Sequence, residues 1–305
     1  MESLQRNTIL VPVDFSDVAE YAIDHAAAIA RGFGYRVFLL HVTTKRSTTK
    51  KKQEEADARL MGISSQMAEN MGLKVTYQIK TGNVFKVINE MADRLRPAFI
   101  VMGVHGRKGV ENLIGSYSYS VICKANVPVL VVKDKHHHVG FKNIVIPIDF
   151  SKRSTQKVSQ AVKFSRFFGA RIRVFGFLSS DNKAKIINKE ALLKSVTTYF
   201  EEQEVPVTTD LRIKPGMDWP EALLGFAEDK EADLIMIVAE RGGGIQDIFS
   251  QNYTERILDK ATMPVLTIMP CAEELAPESA FVQDGVVTPF VDPFGLYRGT
   301  SKSDT

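Results

Sequence analysis

Ile9-Leu10-Val11-Pro12-Val13-Asp14-Phe15-Ser16 returns as Ile144-Val145-Ile146-Pro147-Ile148-Asp149-Phe150-Ser151, an offset of 135 residues (144 − 9). Val127-Pro128-Val129-Leu130 returns as Met263-Pro264-Val265-Leu266 at an offset of 136 (263 − 127). The start and the end of a unit recur at nearly one spacing, so the chain is two copies of one domain. Each copy is long enough for its own core, which makes this a tandem duplication and not a solenoid. The expected boundaries are 1–134 for the first domain, 135–141 for a linker, 142–270 for the second domain and 271–305 for a C-terminal tail.

Each copy alternates strands and helices. In the first, Thr8–Val13 reads as an apolar strand. Ser16 then caps a helix over about Asp17–Arg31, whose Ala-rich face suits close packing on a sheet. Strands follow at Arg36–Val42, Lys74–Gln78, Ala98–Gly103 and Val127–Val132. Helices are expected up to Gly72, over Asn83–Leu95 and over about Ser116–Ala125. The second copy repeats the order: Asn143–Ile148, a helix from Ser151, Arg171–Phe177, helix Lys189–Glu202, Val205–Ile213, helix Trp219–Lys230, Leu234–Val238, helix Asn252–Ala261 and Val265–Met269. Nearly all-apolar strands imply parallel sheets covered on both faces, and the alternation implies an α/β fold of two tandem doubly wound domains. The last strands of the two copies are apolar and would stay exposed unless paired, so the halves are expected to pack through them as a pseudo-twofold pair.

Composition narrows the function. A formal net charge of +3 is too small to point to nucleic acid. Two cysteines, Cys123 and Cys271, make no disulfide or metal framework and read as reduced thiols. No apolar run is long enough to span a membrane and Met1 to Asn7 is polar, so neither membrane nor signal peptide is expected and the location is read as cytoplasmic. His136-His137-His138 reads as a polar connector, because adjacent histidines on an extended chain cannot all face one ion.

The chemistry-bearing segment follows the fourth strand: Gly103-Val104-His105-Gly106-Arg107-Lys108-Gly109-Val110-Glu111-Asn112-Leu113-Ile114-Gly115-Ser116. Glycines let backbone amides approach an anion, and Ser116 opens a helix whose free N–H groups favour phosphate. The plain alternative is a flexible connector. Asp14 ends the first strand at the same carboxyl edge, where ligands of doubly wound folds bind. A carboxylate there accepts hydrogen bonds from ribose hydroxyls or caps the following helix.

Together these residues resemble the universal stress protein family. The strand ending Val11-Pro12-Val13-Asp14, the strand Leu39-Leu40-His41-Val42, the Gly103-x-x-Gly106 … Gly115-Ser116 loop and Val127-Pro128-Val129-Leu130-Val131-Val132 stand where that family has them. The resemblance implies an adenine nucleotide alpha hydrolase-like fold with ATP, alone or with Mg, as ligand. It also implies a site at Pro12, Asp14, Val42, Gly103, His105, Gly106, Gly115 and Ser116. In that pattern Asp14 contacts the nucleoside, the Val42 backbone contacts adenine, and the loop glycines with Ser116 hold the phosphates. His105 falls where the family often has histidine and, without a partner carboxylate in sequence, is assigned a role in loop structure. The family's ATP loop has nine residues between its last two glycines; here Arg107 to Ile114 is eight.

The second copy departs further. Ala239 stands for Gly103, Gln251 for Gly115 and Asn252 for Ser116, and Glu240 adds negative charge where phosphates would lie. Asp149 remains, so this half reads as mainly structural. Three functions stay open at this point. The first is a nucleotide-responsive stress or signalling module that binds ATP in the first half. The second is a slow ATPase without an evident base, so that no catalytic residue is assigned. The third is a nucleotide-free interaction module. A homo-oligomer, most simply a dimer of tandem chains, and an unidentified protein partner are expected. The tail carries Phe281, Val286, Val287, Phe290, Val291, Phe294, Leu296 and Tyr297, enough apolar area that its middle is expected to dock. The basic run Lys45 to Lys52 reads as solvated, and Trp219 as packing at a helix start.

Overall fold

The computed structural model describes residues 7–44, 49–104, 106–107, 110–114, 116–133, 140–148, 154–239 and 248–268. The side chains of 106–118, 123, 154–156 and 248–252 are excepted. The first half runs β1 (Thr8–Pro12), α1 (Asp17–Phe33), β2 (Arg36–Thr43), α2 (Lys50–Met71), β3 (Val75–Thr81), α3 (Val84–Leu95), β4 (Phe99–Gly103), β5 (Gly106–Arg107), β6 (Val110–Ile114), α4 (Ser116–Lys124) and β7 (Val129–Val132). The second runs β8 (Asn143–Ile148), α5 (Ser154–Phe168), β9 (Arg171–Leu178), α6 (Lys183–Glu202), β10 (Val207–Ile213), α7 (Trp219–Asp229), β11 (Leu234–Val238), α8 (Ile248–Lys260) and β12 (Val265–Ile268).

The helices start where side chains satisfy their first amides. Ser16, Thr49, Asn83 and Asn182 accept from the amide three residues on, in α1, α2, α3 and α6. Gly34 and Gly72 end α1 and α2 in the left-handed conformation.

The strands form one ten-stranded sheet in the order β10-β9-β8-β11-β12-β7-β4-β1-β2-β3. Within this sheet every pairing inside a half is parallel. The halves meet where β12 and β7 pair antiparallel, with Val265 opposite Val131, Leu266 opposite Leu130 and Thr267 opposite Val129. Thr267 Oγ1 also donates to the Val129 carbonyl at 3.1 Å. The order therefore reads the same outward from the junction on either side, which is the pseudo-twofold pair expected from the apolar last strands.

Each face of the sheet carries one apolar layer that crosses the junction. On one face Ile9, Ala26, Ile29 and Leu39 share a cluster with Ile144, Phe164, Val174 and Phe200. The other face holds Leu10, Ile100, Val121 and Val129 with Val145, Phe175, Phe226 and Val265. The first layer is sealed at the junction by aromatic rings. Phe164 of α5 lies 5.6 Å from Phe33, 5.8 Å from Phe99, 5.6 Å from Phe141 and 5.8 Å from Phe168 between ring centroids.

Lys133, just past β7, reaches the second half. Its ammonium donates to the Asp259 carbonyl at 2.6 Å and the Ala261 carbonyl at 3.3 Å, at the end of α8. Burial lowers its pKa from 10.5 to about 8, against the opposing attraction of Asp259. The folded chain therefore gives up this proton more readily than the unfolded chain. Between about pH 8 and 10.5 the unfolded state binds more protons, so this group adds stability as pH rises through that window and loses the increment as pH falls back through 8. Urea midpoints of the wild-type chain and Lys133→Met at pH 7.5 and pH 10 are expected to differ by more at the lower pH in favour of the variant. An unchanged difference would contradict the assignment.

Several expected bounds move. The third strand is Val75–Thr81 and not Lys74–Gln78, and the strand expected at Val205 begins at Val207. α6 begins at Lys183, six residues before the expected Lys189, because Asn182 caps it by accepting from Lys185 N at 3.2 Å. α8 begins at Ile248 and not Asn252. The segment expected as a plain glycine loop contains an antiparallel pair, β5 with β6. Lys50 and Lys51 of the basic run sit on α2 in exposed pairs with Glu54 and Glu55, and Trp219 packs with Tyr253 at 5.9 Å. The histidine tract, Asp149, Cys271 and the whole tail lie outside the described residues. Among the described residues no helix is long and apolar enough to cross a membrane.

Candidate functional site

Strand order alone locates a crevice. From β1 the chain moves outward to β2 and β3, and β4 then pairs on the opposite side of β1. The carboxyl ends of β1 and β4 therefore flank the topological switch point, where doubly wound sheets bind ligands. Asp14 follows β1, and Gly103 closes β4.

The turn out of β1 is strained. Phe15 has φ 63°, in the left-handed region. Among the described residues, the other non-glycine positions with positive φ (Arg96, Glu204 and Glu231) lie one or two residues past the ends of α3, α6 and α7. Phe15 is held by its side chain. Its ring lies 4.6 Å from the His41 ring, and the Arg59 guanidinium of α2 sits 4.1 Å over it. His41 Nδ1 is 2.7 Å from the Val13 carbonyl; with no proton on that oxygen, the ring nitrogen is the donor. The result presents Asp14 at the exposed rim. Its Oδ1 accepts from Ser16 N at 3.1 Å and from Ser16 Oγ at 2.5 Å. Asp14 thus braces Ser16, the residue that caps α1, and is not itself the cap that the alternative expected; it lies at the crevice. The sequence carries no direct signal for the Phe15 conformation. His41 was visible only as one letter of the β2 stretch, and Arg59 reads as an ordinary surface cation of α2.

Val42 is placed by backbone alternation. Leu40 O accepts from Val13 N at 2.8 Å, toward β1, and Thr43 O accepts from Gly82 N at 2.9 Å, beyond β3. Successive strand residues point their backbone groups to opposite sides. The Val42 amide and carbonyl therefore face the β1 side, one step past Pro12, whose partner Leu40 is the last in the β1–β2 register. Val42 thus offers a donor and an acceptor side by side, next to Asp14.

Gly103 has a structural reason to lack a side chain. A Cβ there would lie 2.2 Å from the Val18 carbonyl oxygen, 2.4 Å from its carbon and 2.8 Å from Ala19 N, all backbone of α1. This glycine lets β4 touch the first turn of α1, a close helix–strand approach that the phosphate reading did not include. Its counterpart Ala239 is fully buried, so the second half accommodates the methyl. Gly106 begins β5, and Ser116 is the first residue of α4; their side-chain environments lie outside the described residues, as do His105 and Gly115 entirely. Pro12, Asp14, Val42 and Gly103 come together at one edge.

A profile of the universal stress protein family matches residues 5–133 and again 140–268. Universal stress protein MJ0577 of Methanocaldococcus jannaschii is 32% identical over 161 residues, covering 44% of this chain and 99% of the relative. Universal stress protein G of Escherichia coli O157:H7 is 30% identical over 141 residues, covering 41% of this chain and 98% of the relative. Among solved structures, a universal stress protein from Archaeoglobus fulgidus DSM 4304 superposes with a TM-score of 0.70 over 88% of this chain and 98% of its own. At 18% identity that likeness is one of fold. With both halves matched by the same profile, the chain belongs to the universal stress protein family as a member with two tandem domains.

Proposed function

We propose that the carboxyl edge of the first half binds an adenine nucleotide, ATP foremost, and that the chain is a nucleotide-responsive regulatory module of the stress response. The observation that carries this reading is the Val42 donor–acceptor pair, directed past the end of β1 beside Asp14. An adenine edge has an acceptor nitrogen beside the exocyclic amino donor, the complement of one residue's amide and carbonyl. A ribose placed from there reaches the Asp14 carboxylate, and the N-terminus of α4 at Ser116 supplies amides for phosphate. The shortened loop and the degenerate second half limit the number of such sites to one.

Two measurements test it. Mass spectrometry of small molecules released from the purified, denatured chain is expected to find adenine nucleotide, or titration of the emptied chain to find ATP binding. Asp14→Ala is then expected to weaken ATP by roughly 10- to 100-fold, the worth of hydrogen bonds to a charged acceptor. An unchanged affinity would remove Asp14 from the site. Product formed from ATP over hours would move the reading toward a slow hydrolase.

A further inference from the structure

The two halves can be aligned by burial. On α5, Lys157, Val158, Ala161, Val162, Phe164 and Ser165 are buried, and on α1 the buried Ala22, Ile23, Ala26, Ala27, Ile29 and Ala30 stand 135 residues earlier. On α6, Lys189, Leu193 and Phe200 are buried at the positions of Ala56, Leu60 and Met67 on α2, 133 residues earlier. Two buried alanines of the first half are thus lysines in the second. Lys157 is 4% exposed and Lys189 3%. Buried ammonium groups are rare and costly, so their placement is specific.

Both converge on the end of β8. Lys157 Nζ donates to the Pro147 carbonyl at 2.6 Å, and Lys189 Nζ to the Ile148 carbonyl at 3.0 Å. The counterpart of Ile148 is Val13, whose carbonyl is held by His41 from β2. His41 is replaced by Gly176, where a Cβ would lie 2.6 Å from Leu193 Cδ1 of α6. The missing side chain lets α6 sit close on β9 and deliver Lys189 to the strand end. β8 also stays in register one residue further than β1: Ile148 pairs with Gly176, while the first-half register stops at Pro12 with Leu40. The gap that exposes the Val42 amide is therefore narrowed at its counterpart Phe177, which is 9% exposed.

We propose that Lys157 and Lys189 are the specificity-determining residues that close the second half to nucleosides, a self-occupied site at the edge where the first half is open. Each exchange adds about three methylenes and an ammonium group to the place of a methyl. Together they fill a volume comparable with that of a purine base at the end of β8. Their amines, which donate to the Pro147 and Ile148 carbonyls, also stand where the first half offers the neutral donor–acceptor edge of Val42. The proposal rests on the nucleotide reading of the first half, but its test counts sites in the second half separately.

The experiment is equilibrium titration of the intact chain with adenosine and with ATP, for wild type and for Lys157→Ala/Lys189→Ala, the residues the first half carries. Adenosine is the probe for the second half because Ala239 and Gln251 replace the loop glycines needed for phosphate. Wild type is expected to bind one equivalent, and the double variant one equivalent more. Two equivalents in wild type would overturn the plug and uphold the nucleotide reading. No binding in wild type would overturn the nucleotide reading, while the gain of an equivalent in the variant still decides the plug. A folded double variant with no added equivalent overturns it. Should the double variant not fold, Lys189→Ala alone is read the same way, because it removes the group at the Ile148 carbonyl.

Discussion

Phe164→Ala is expected to lower the stability of the whole chain by about 4 kcal/mol, the range for removing a fully buried aromatic ring. Phe164 has no exposed surface, and the four rings around it come from both sides of the junction: Phe33 and Phe99 from the first half, Phe141 from the segment leading into β8 and Phe168 from α5. None of them can fill the void without leaving its own contacts, so collapse around the cavity is limited. The counterpart position is Ile29, also fully buried. Phe164→Ile therefore puts the first half's side chain in the second half's place, and is expected to cost clearly less than Phe164→Ala. Urea unfolding followed by tryptophan emission and by far-ultraviolet dichroism would measure both. Coincident transitions are expected, because the cluster spans the halves. A loss below about 1 kcal/mol for the alanine variant would mean the ring is not buried as described.

Gly103→Ala is the second large effect, at about 3 kcal/mol or more, and it should appear without any ligand. The added carbon meets backbone atoms of Val18 and Ala19, which cannot swing aside as a side chain would. Relief requires the first turn of α1 to move off β4, which also displaces Ser16 and Asp14 at the start of that helix. Stability and nucleotide affinity should therefore fall together. The mirror substitution, Ala239→Gly, should cost only about 1 kcal/mol, the entropy of a glycine where alanine already fits. Comparable losses from the two variants would refute the close-approach explanation.

Much of the fold was legible because it was written twice. The recurrence of Ile9–Ser16 at Ile144–Ser151 fixed the number of units, and strands such as Ile144–Ile148 are apolar throughout, as a covered parallel sheet requires. Pairing of the last strands followed from the same apolarity. What stayed hidden depends on tertiary context. Val110-Glu111-Asn112-Leu113-Ile114 has no clean alternation, and a two-stranded ribbon has little intrinsic preference to announce it. In the first turns of α6, Lys183 to Asn188, the apolar Ala184, Ile186 and Ile187 do not form a buried stripe, so periodicity placed the start late although Asn182 was a readable cap. At the candidate site, the resemblance named Asp14 and Val42, and the fold brings both to one edge. The reason Val42 is open is a matter of register, which no composition reveals. Nothing in the sequence marks Lys157 and Lys189 as buried, since lysine is among the residues least expected inside.

The antiparallel seam between β7 and β12 has an evolutionary consequence. In a dimer of identical chains a substitution appears at both symmetry-related places, so a change that suits one site is imposed on the other. Joining the copies in one polypeptide lifts that restriction while keeping the seam. Glycine stands at 103 with alanine at 239, alanine at 22 with lysine at 157, and histidine at 41 with glycine at 176. One copy is then free to keep an open crevice, and its twin to spend the same edge on internal bonds.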